Sequence, residues 1–227
     1  MHSAKTTFIE GITSTKSLFA IYDHLLTEIH LPPEDISDLL RSQIVYAISA
    51  LDRLIHELVR IGILEIFNNK RKETEKFKNH PFKAQTILSV IKSLKSSTIP
   101  SSPDELPEAI INKEIIEKLS FLAFQAPEKI KDALSYIWNE PNKMVILANR
   151  MRLAGSTEND RQRFLIQTLQ LIVNRRNQIV HEADFDSGAG IRRSITRKEV
   201  EDNIDFIQAL GISIYEEVTA PICYIKK

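Results

Sequence analysis

Two side chains suited to chemistry at neutral pH stand five positions apart, Arg176 and His181. They lie in the stretch VNRRNQIVHEADFD, residues 173–186, where Asn177 directly follows the arginine. A guanidinium grips phosphate through its planar fork and stabilises charge developing on a phosphoryl group. An imidazole titrates near neutrality and serves as general base or acid. Together they suit phosphodiester cleavage: for RNA, a base takes the 2′-OH proton and that oxygen attacks its own phosphate. None of these roles requires a metal. The competing reading is structural, with both residues near a helix end and pairing with Glu182 or Asp184. Spacing this short does not decide between the two.

The element that must hold them is a long helix expected over about residues 157–184. Its apolar stripe runs Leu165, Leu169, Ile172, Arg176, Ile179, Ala183, in steps of 4, 3, 4, 3 and 4. Arg176 thus occupies a stripe position, and a guanidinium cannot shed its charge, so it must be paired or face a wet cleft. His181 lies about 140° further round the helix, so the two border one cleft without stacking. Asn177, four residues before His181, shares its face. The glycine-bearing segment DFDSGAGI is expected to end this helix.

A second long helix is expected over 34–67, where Ile44, Ile48, Leu51, Ile55, Leu58, Gly62 and Ile66 line one face. Shorter helices are expected over about 8–29, 83–94, 104–125, 127–138 and 141–150, and a last one over 197–218. Ser102 with Glu105, and Thr196 with Glu199, read as capping boxes. Six glycines and nine prolines in 227 residues leave few turns, and the expectation is an all-α fold in a single domain, residues 1–227, with two long core helices.

Further candidates flank the motif. Asp52 and His56 are an i, i+4 pair in which the carboxylate can orient the imidazole, or simply part of a salt-bridged face. Arg175, Arg192 and Arg193, with Arg197 and Lys198 beyond, can form a basic rim that guides an RNA backbone, or a solvated helix start. The run Lys70–Lys83 is a second basic patch and reads more readily as a solvated connection. HELVR has Arg60 where a zinc protease needs its second histidine, and SGAG lacks the spacing and the Lys-Ser/Thr of a phosphate loop. Tyr136 and Trp138 read as packing residues.

Thirty basic and thirty acidic residues cancel, so any polyanion site must be a local patch. The lone Cys223 excludes an intramolecular disulfide and a cysteine zinc site, which points to a reducing, cytoplasmic setting. The N-terminal stretch lacks the apolar run of a signal peptide, and no segment is apolar enough to span a bilayer.

The run Arg176-Asn177-Gln178-Ile179-Val180-His181 resembles the R-x4-6-H motif of the HEPN superfamily, with the polar residue after the arginine that marks its most typical form. SALDRLIHELVR, residues 49–60, resembles the early long helix of the RiboL-PSP-type, defence-associated groups. The likeness covers about residues 35–70 and 155–220; between them only helical character matches. It implies a helical bundle and a metal-independent endoribonuclease without cofactor. Arg176 and His181 would be catalytic and Asn177 the accompanying polar residue. It further implies a homodimer in which two motifs meet in one composite cleft, RNA as substrate, and a toxin–antitoxin or phage-defence setting with an antitoxin or other partner protein. Some HEPN members have lost the motif and only bind, so a non-enzymatic nucleotide- or protein-binding module is the alternative.

Overall fold

The computed structural model describes residues 1–95, 102–186, 188 and 190–220; Cys223 lies outside them. Among the described residues the chain is helical throughout, in the order α1 (His2–Thr27), α2 (Pro33–Phe67), α3 (Glu75–Lys78), α4 (Ala84–Lys95), α5 (Pro107–Leu119), α6 (Pro127–Leu134), α7 (Lys143–Arg150), α8 (Glu158–Glu182) and α9 (Arg197–Thr219). The all-α expectation holds, and both long helices are present.

The stripe read along α2 is the axis of the bundle. Ile48, Leu51, Ile55 and Leu58 are fully buried. Helices α1, α9, α8, α5 and α6 all pack around α2. Close approach uses small residues: a Cβ on Gly211 of α9 would lie 2.3 Å from the ring of buried Phe8, and one on Gly62 would lie 2.5 Å from Ile137. Side chains are absent there because two elements need the space.

Several boundaries depart from the sequence reading. Helix α1 begins at His2, not near residue 8, because Ala4 already packs in the core. Ser102 caps only a 3₁₀ turn, Pro103–Glu105; the residue before Pro107 is held extended at ψ 142°, so α5 starts afresh at that proline. Helix α5 then stops at Leu119 rather than near 125, and the chain turns inward to bury Phe124. Helix α6 ends at Leu134, four residues early, where a tight turn exposes the carbonyls of Tyr136 and Ile137 to Thr74 Oγ1 and Arg71 Nη1. Arg71 also takes the Val218 carbonyl near the end of α9 and pairs with Glu65, so one residue of the Lys70–Lys83 run is a tie between helix ends. Lys76, Lys78 and Lys83 of that run pair with Asp132, Glu75 and Glu117.

Half-buried histidines set an acid limit on this fold. Burial holds His56 below its ordinary value of 6.5, against the opposing pull of Asp52 and Glu57. Burial also lowers His80, helped by Lys118 and Lys76 and opposed by Glu114. Both ring nitrogens of His80 are buried without a hydrogen-bond partner among the described residues. The folded state therefore binds fewer protons than the unfolded chain once the pH drops below 6.5. Stability is complete above that value and erodes as the pH falls through it toward the lower folded values. Thermal melts between about pH 7.5 and 5.5 should show this acid-side loss, and His80→Gln should flatten it. An acid limb equally steep in His80→Gln would remove His80 as a cause.

Candidate active site

Helix α8 opens with a reciprocal capping box. Thr157 Oγ1 accepts from the Asp160 N–H at 3.1 Å, and the Asp160 carboxylate accepts from the Thr157 N–H at 3.2 Å. This box was not among those read from sequence; at α9, Thr196 caps Glu199 N–H, and the reciprocal bond is absent from the described contacts. From its cap α8 runs along α7 and α2. Leu165 and Leu169 are fully buried and Ile172 nearly so, which carries the stripe into the core one turn before Arg176.

The far end of α8 is where structure and expectation part. The helix ends at Glu182, not at 184, and the residues that end it are not the glycines. Ala183 and Asp184 both take left-handed backbone, at φ 49° and 63°. Both of their N–H groups donate to the Gln178 carbonyl. Gly188 and Gly190 lie further on, in a return that pairs Phe185 with Arg192 in a single antiparallel bridge. Consecutive left-handed non-glycine residues persist only where surrounding contacts over-determine them.

Those contacts centre on Asp184, whose side chain is fully buried. Arg41, from the first turns of α2, places Nε 2.6 Å from Asp184 Oδ2. Arg175 reaches the same carboxylate with Nη1 at 2.7 Å from Oδ1 and Nη2 at 3.0 Å from Oδ2. Arg41 Nη2 also donates to the Arg193 carbonyl and Arg175 Nη2 to the Ser194 carbonyl. One carboxylate thus holds α2, α8 and the returning chain together. Sequence reasoning missed Arg41 and left Asp184 as a neighbour of the motif. Arg41 stands three residues before Ile44 on the buried face of α2, and an arginine there demands a buried partner.

The other basic residues of this end also have carboxylates within ion-pair distance. Arg192 pairs with Asp38 at 2.7 Å and lies over the Phe185 ring. Arg193 pairs with Glu182 at 3.0 Å. Arg197 pairs with Asp23 and Glu201, and Lys198 with Asp202. Arg176 differs. Its Nη1 donates to Asn177 Oδ1 at 3.1 Å, its Nε is buried without an acceptor, and among the described residues it has no carboxylate. His181 is exposed on the last turn of α8, likewise without a hydrogen-bond, ion-pair or ring partner among the described residues. The structure therefore brings Arg176, Asn177 and His181 onto one helix end and engages Arg175, Arg192 and Arg193 in the return beside it.

Asp52 and His56 are held elsewhere on α2. Asp52 Oδ1 accepts from the Phe124 N–H at 2.5 Å and lies 3.7 Å from His56 Nε2, whose ring packs 4.5 Å from that of Phe124. The i, i+4 pair forms, yet its contacts pin the chain between α5 and α6 rather than reaching Arg176 or His181. Eleven residues of α2 separate Asp52 from Arg41, a rise of about 16 Å. Among the described residues, no group of three or more His, Cys, Asp or Glu side chains is placed to hold a metal ion, and no helix is long and apolar enough to cross a membrane.

Arranged this way, the end of α8 offers a half-buried cation for an anionic oxygen and a free imidazole for a proton. The sequence model of the family described as RiboL-PSP-HEPN matches residues 11–220. No curated protein and no solved structure matches the chain.

Proposed function

The chain belongs to the RiboL-PSP-HEPN family, and from that premise we propose that it is a metal-independent endoribonuclease working through a composite site in a homodimer. The observation that carries this reading is Arg176. Among the described residues, every other arginine around the end of α8 has a carboxylate within ion-pair distance, and Arg176 has none. A guanidinium kept half-buried and uncompensated is a standing cost that a bound phosphate removes.

In the proposed reaction Arg176 holds the non-bridging oxygens of the scissile phosphate, where charge builds in the transition state. Asn177 keeps the guanidinium aimed through the 3.1 Å hydrogen bond to Nη1. His181 takes the proton from the 2′-OH, the 2′-oxygen bonds to phosphorus, and the P–O5′ bond breaks. The 5′-oxygen leaves with a proton taken from water, so each site needs Arg176 of one protomer and one His181, that of its partner. The products are a 2′,3′-cyclic phosphate and a 5′-OH end. Partly exposed Arg192 and Arg193 flank the site and can guide the RNA backbone by exchanging surface ion pairs for phosphate. Asp52 and His56 serve this reading only as more distant contacts for a longer strand.

The outer face of α8 supports the dimer. Leu171 is 68% exposed and Phe164 43%, and Phe164, Gln167, Leu171, Asn174, Gln178 and His181 follow one another in steps of 3 and 4. Two exposed hydrophobes, Phe164 and Leu171, thus share the face that ends in polar Asn174, Gln178 and His181, which suits a two-fold contact that brings two motifs together. A toxin or phage-defence role, restrained by an antitoxin or partner protein, fits the family's usual setting. Purified full-length protein incubated with mixed RNA in excess chelator should release 2′,3′-cyclic phosphate ends. Intact RNA, or cleavage that the chelator stops, contradicts the proposal, and a co-purifying protein partner with intact RNA would favour the binding module.

A further inference from the structure

We infer that Asp184 is the positioning residue of the site proposed above, on which this inference rests: it neutralises Arg175 so that Arg176 remains free, and it fixes the turn that presents His181. Two adjacent arginines leave α8 about 100° apart. On chemistry alone either could take the phosphate, and a nearby carboxylate could quench either. The structure makes the choice through burial. Asp184 is wholly inside, against Arg175 on one side and Arg41 on the other, so its charge is spent before it can meet Arg176.

The same residue sets the geometry of the last turn. Its N–H donates to the carbonyl of Gln178, within the motif between Asn177 and His181, at 3.0 Å. Its own carbonyl accepts from the Arg193 N–H at 2.9 Å. Its left-handed backbone, φ 63°, is what turns the chain back at that point. Asp184 thus joins the motif's last turn to α2 through Arg41 and to the returning chain through Arg193. Without the carboxylate, Arg41 keeps only Asp38, 3.5 Å away, part-buried Arg175 loses its counter-charge, the last turn of α8 loses its hold on α2, and Arg175 becomes a second loose cation beside the phosphate site. None of this involves contact with substrate; Asp184 acts through the residues it holds.

The test compares wild type, Asp184→Asn, Arg175→Gln and the double variant, with RNA cleavage kinetics normalised to the folded fraction from circular dichroism. Asp184→Asn should lower kcat by about 10- to 100-fold with KM within about two-fold, because misplacement costs the transition state more than the ground state. Arg175→Gln should lower kcat in the same direction. The double variant should be no worse than Asp184→Asn alone, since it also removes the loosened cation. Lower melting temperatures with kcat per folded molecule unchanged would make Asp184 merely structural and overturn the inference. If Asp184→Asn does not fold, Arg175→Gln decides, since its side chain is 13% exposed rather than fully enclosed. An active wild type with unaltered variants removes this inference alone, whereas an inactive wild type removes the enzymatic reading and this inference with it.

Discussion

Replacing Arg176 by methionine should abolish RNA cleavage and raise the melting temperature at once. The two effects share one cause. Arg176 stands on the apolar stripe one turn beyond buried Ile172 and Val173, and among the described residues its buried Nε has no acceptor and its one hydrogen bond goes to Asn177. A buried donor left unsatisfied costs about 1–3 kcal/mol, and the charge adds to that. Methionine fills similar space without either penalty. Because Arg176 is only half-buried, the net gain should be smaller, about 1 kcal/mol, which for a chain of this size is about 2–4 °C. Loss of a cation aimed at a developing oxyanion should cost on the order of 10²–10³-fold in kcat. The contrast with Arg175 sharpens the test. Arg175→Met removes a partner of buried Asp184 and should lower the melting temperature, although Arg41 still pairs with that carboxylate. If Arg176→Met proved less stable than wild type, or still cut RNA, Arg176 would be an ordinary structural arginine. A residue that lowers stability while serving activity is what a functional site looks like thermodynamically.

Legibility in the sequence followed the range of the interactions. The α2 stripe from Ile44 to Ile66 was readable because burial of one helical face repeats every three or four residues. The anomaly at Arg176 was readable on the same grounds, as a charge where the period asks for a hydrophobe. What made Arg176 different from Arg175 was not readable. The distinction rests on Asp184, and Asp184 is buried because Arg41 reaches it across 143 residues of chain. No local pattern encodes that pairing. The end of α8 failed for a related reason. The glycines at 188 and 190 were the local stop signal, but the chain turns at Ala183 and Asp184, where tertiary ion pairs outweigh the backbone preference against left-handed φ. At Asp52 and His56 the i, i+4 contact was foreseeable, whereas the Phe124 backbone that receives it comes from a turn placed by α5 ending early. Residue types and periods located the chemistry; long-range charge pairing determined which member of each set was left free for it.

His181 permits the other large test, and it bears on the dimer as well as on the proton. The imidazole is exposed and has no partner among the described residues, so His181→Ala should leave the melting temperature unchanged while removing acid–base catalysis, a loss of about 10²–10⁴-fold. Arg176→Ala should be equally inactive. Mixing the two inactive proteins then separates a composite site from two independent ones. If each site takes Arg176 from one protomer and His181 from its partner, a mixed dimer has one site lacking both residues and one site intact. Random exchange of equal amounts gives half mixed dimers, each with one working site of two, so about a quarter of wild-type activity should return. If each protomer uses its own Arg176 and His181, every site in every dimer lacks one residue and nothing returns. Exchange can be checked by mixing differently tagged wild-type copies, which should show the same half-and-half distribution. The exposed Leu171 gives the control. Leu171→Asp places a charge in the proposed two-fold contact, so it should shift the protein to monomer in sedimentation and abolish cleavage although Arg176 and His181 are untouched. Recovery of activity on mixing, together with its loss in monomeric Leu171→Asp, would tie the catalytic pair to the dimer interface. Activity retained by the monomer would place the whole reaction within one chain.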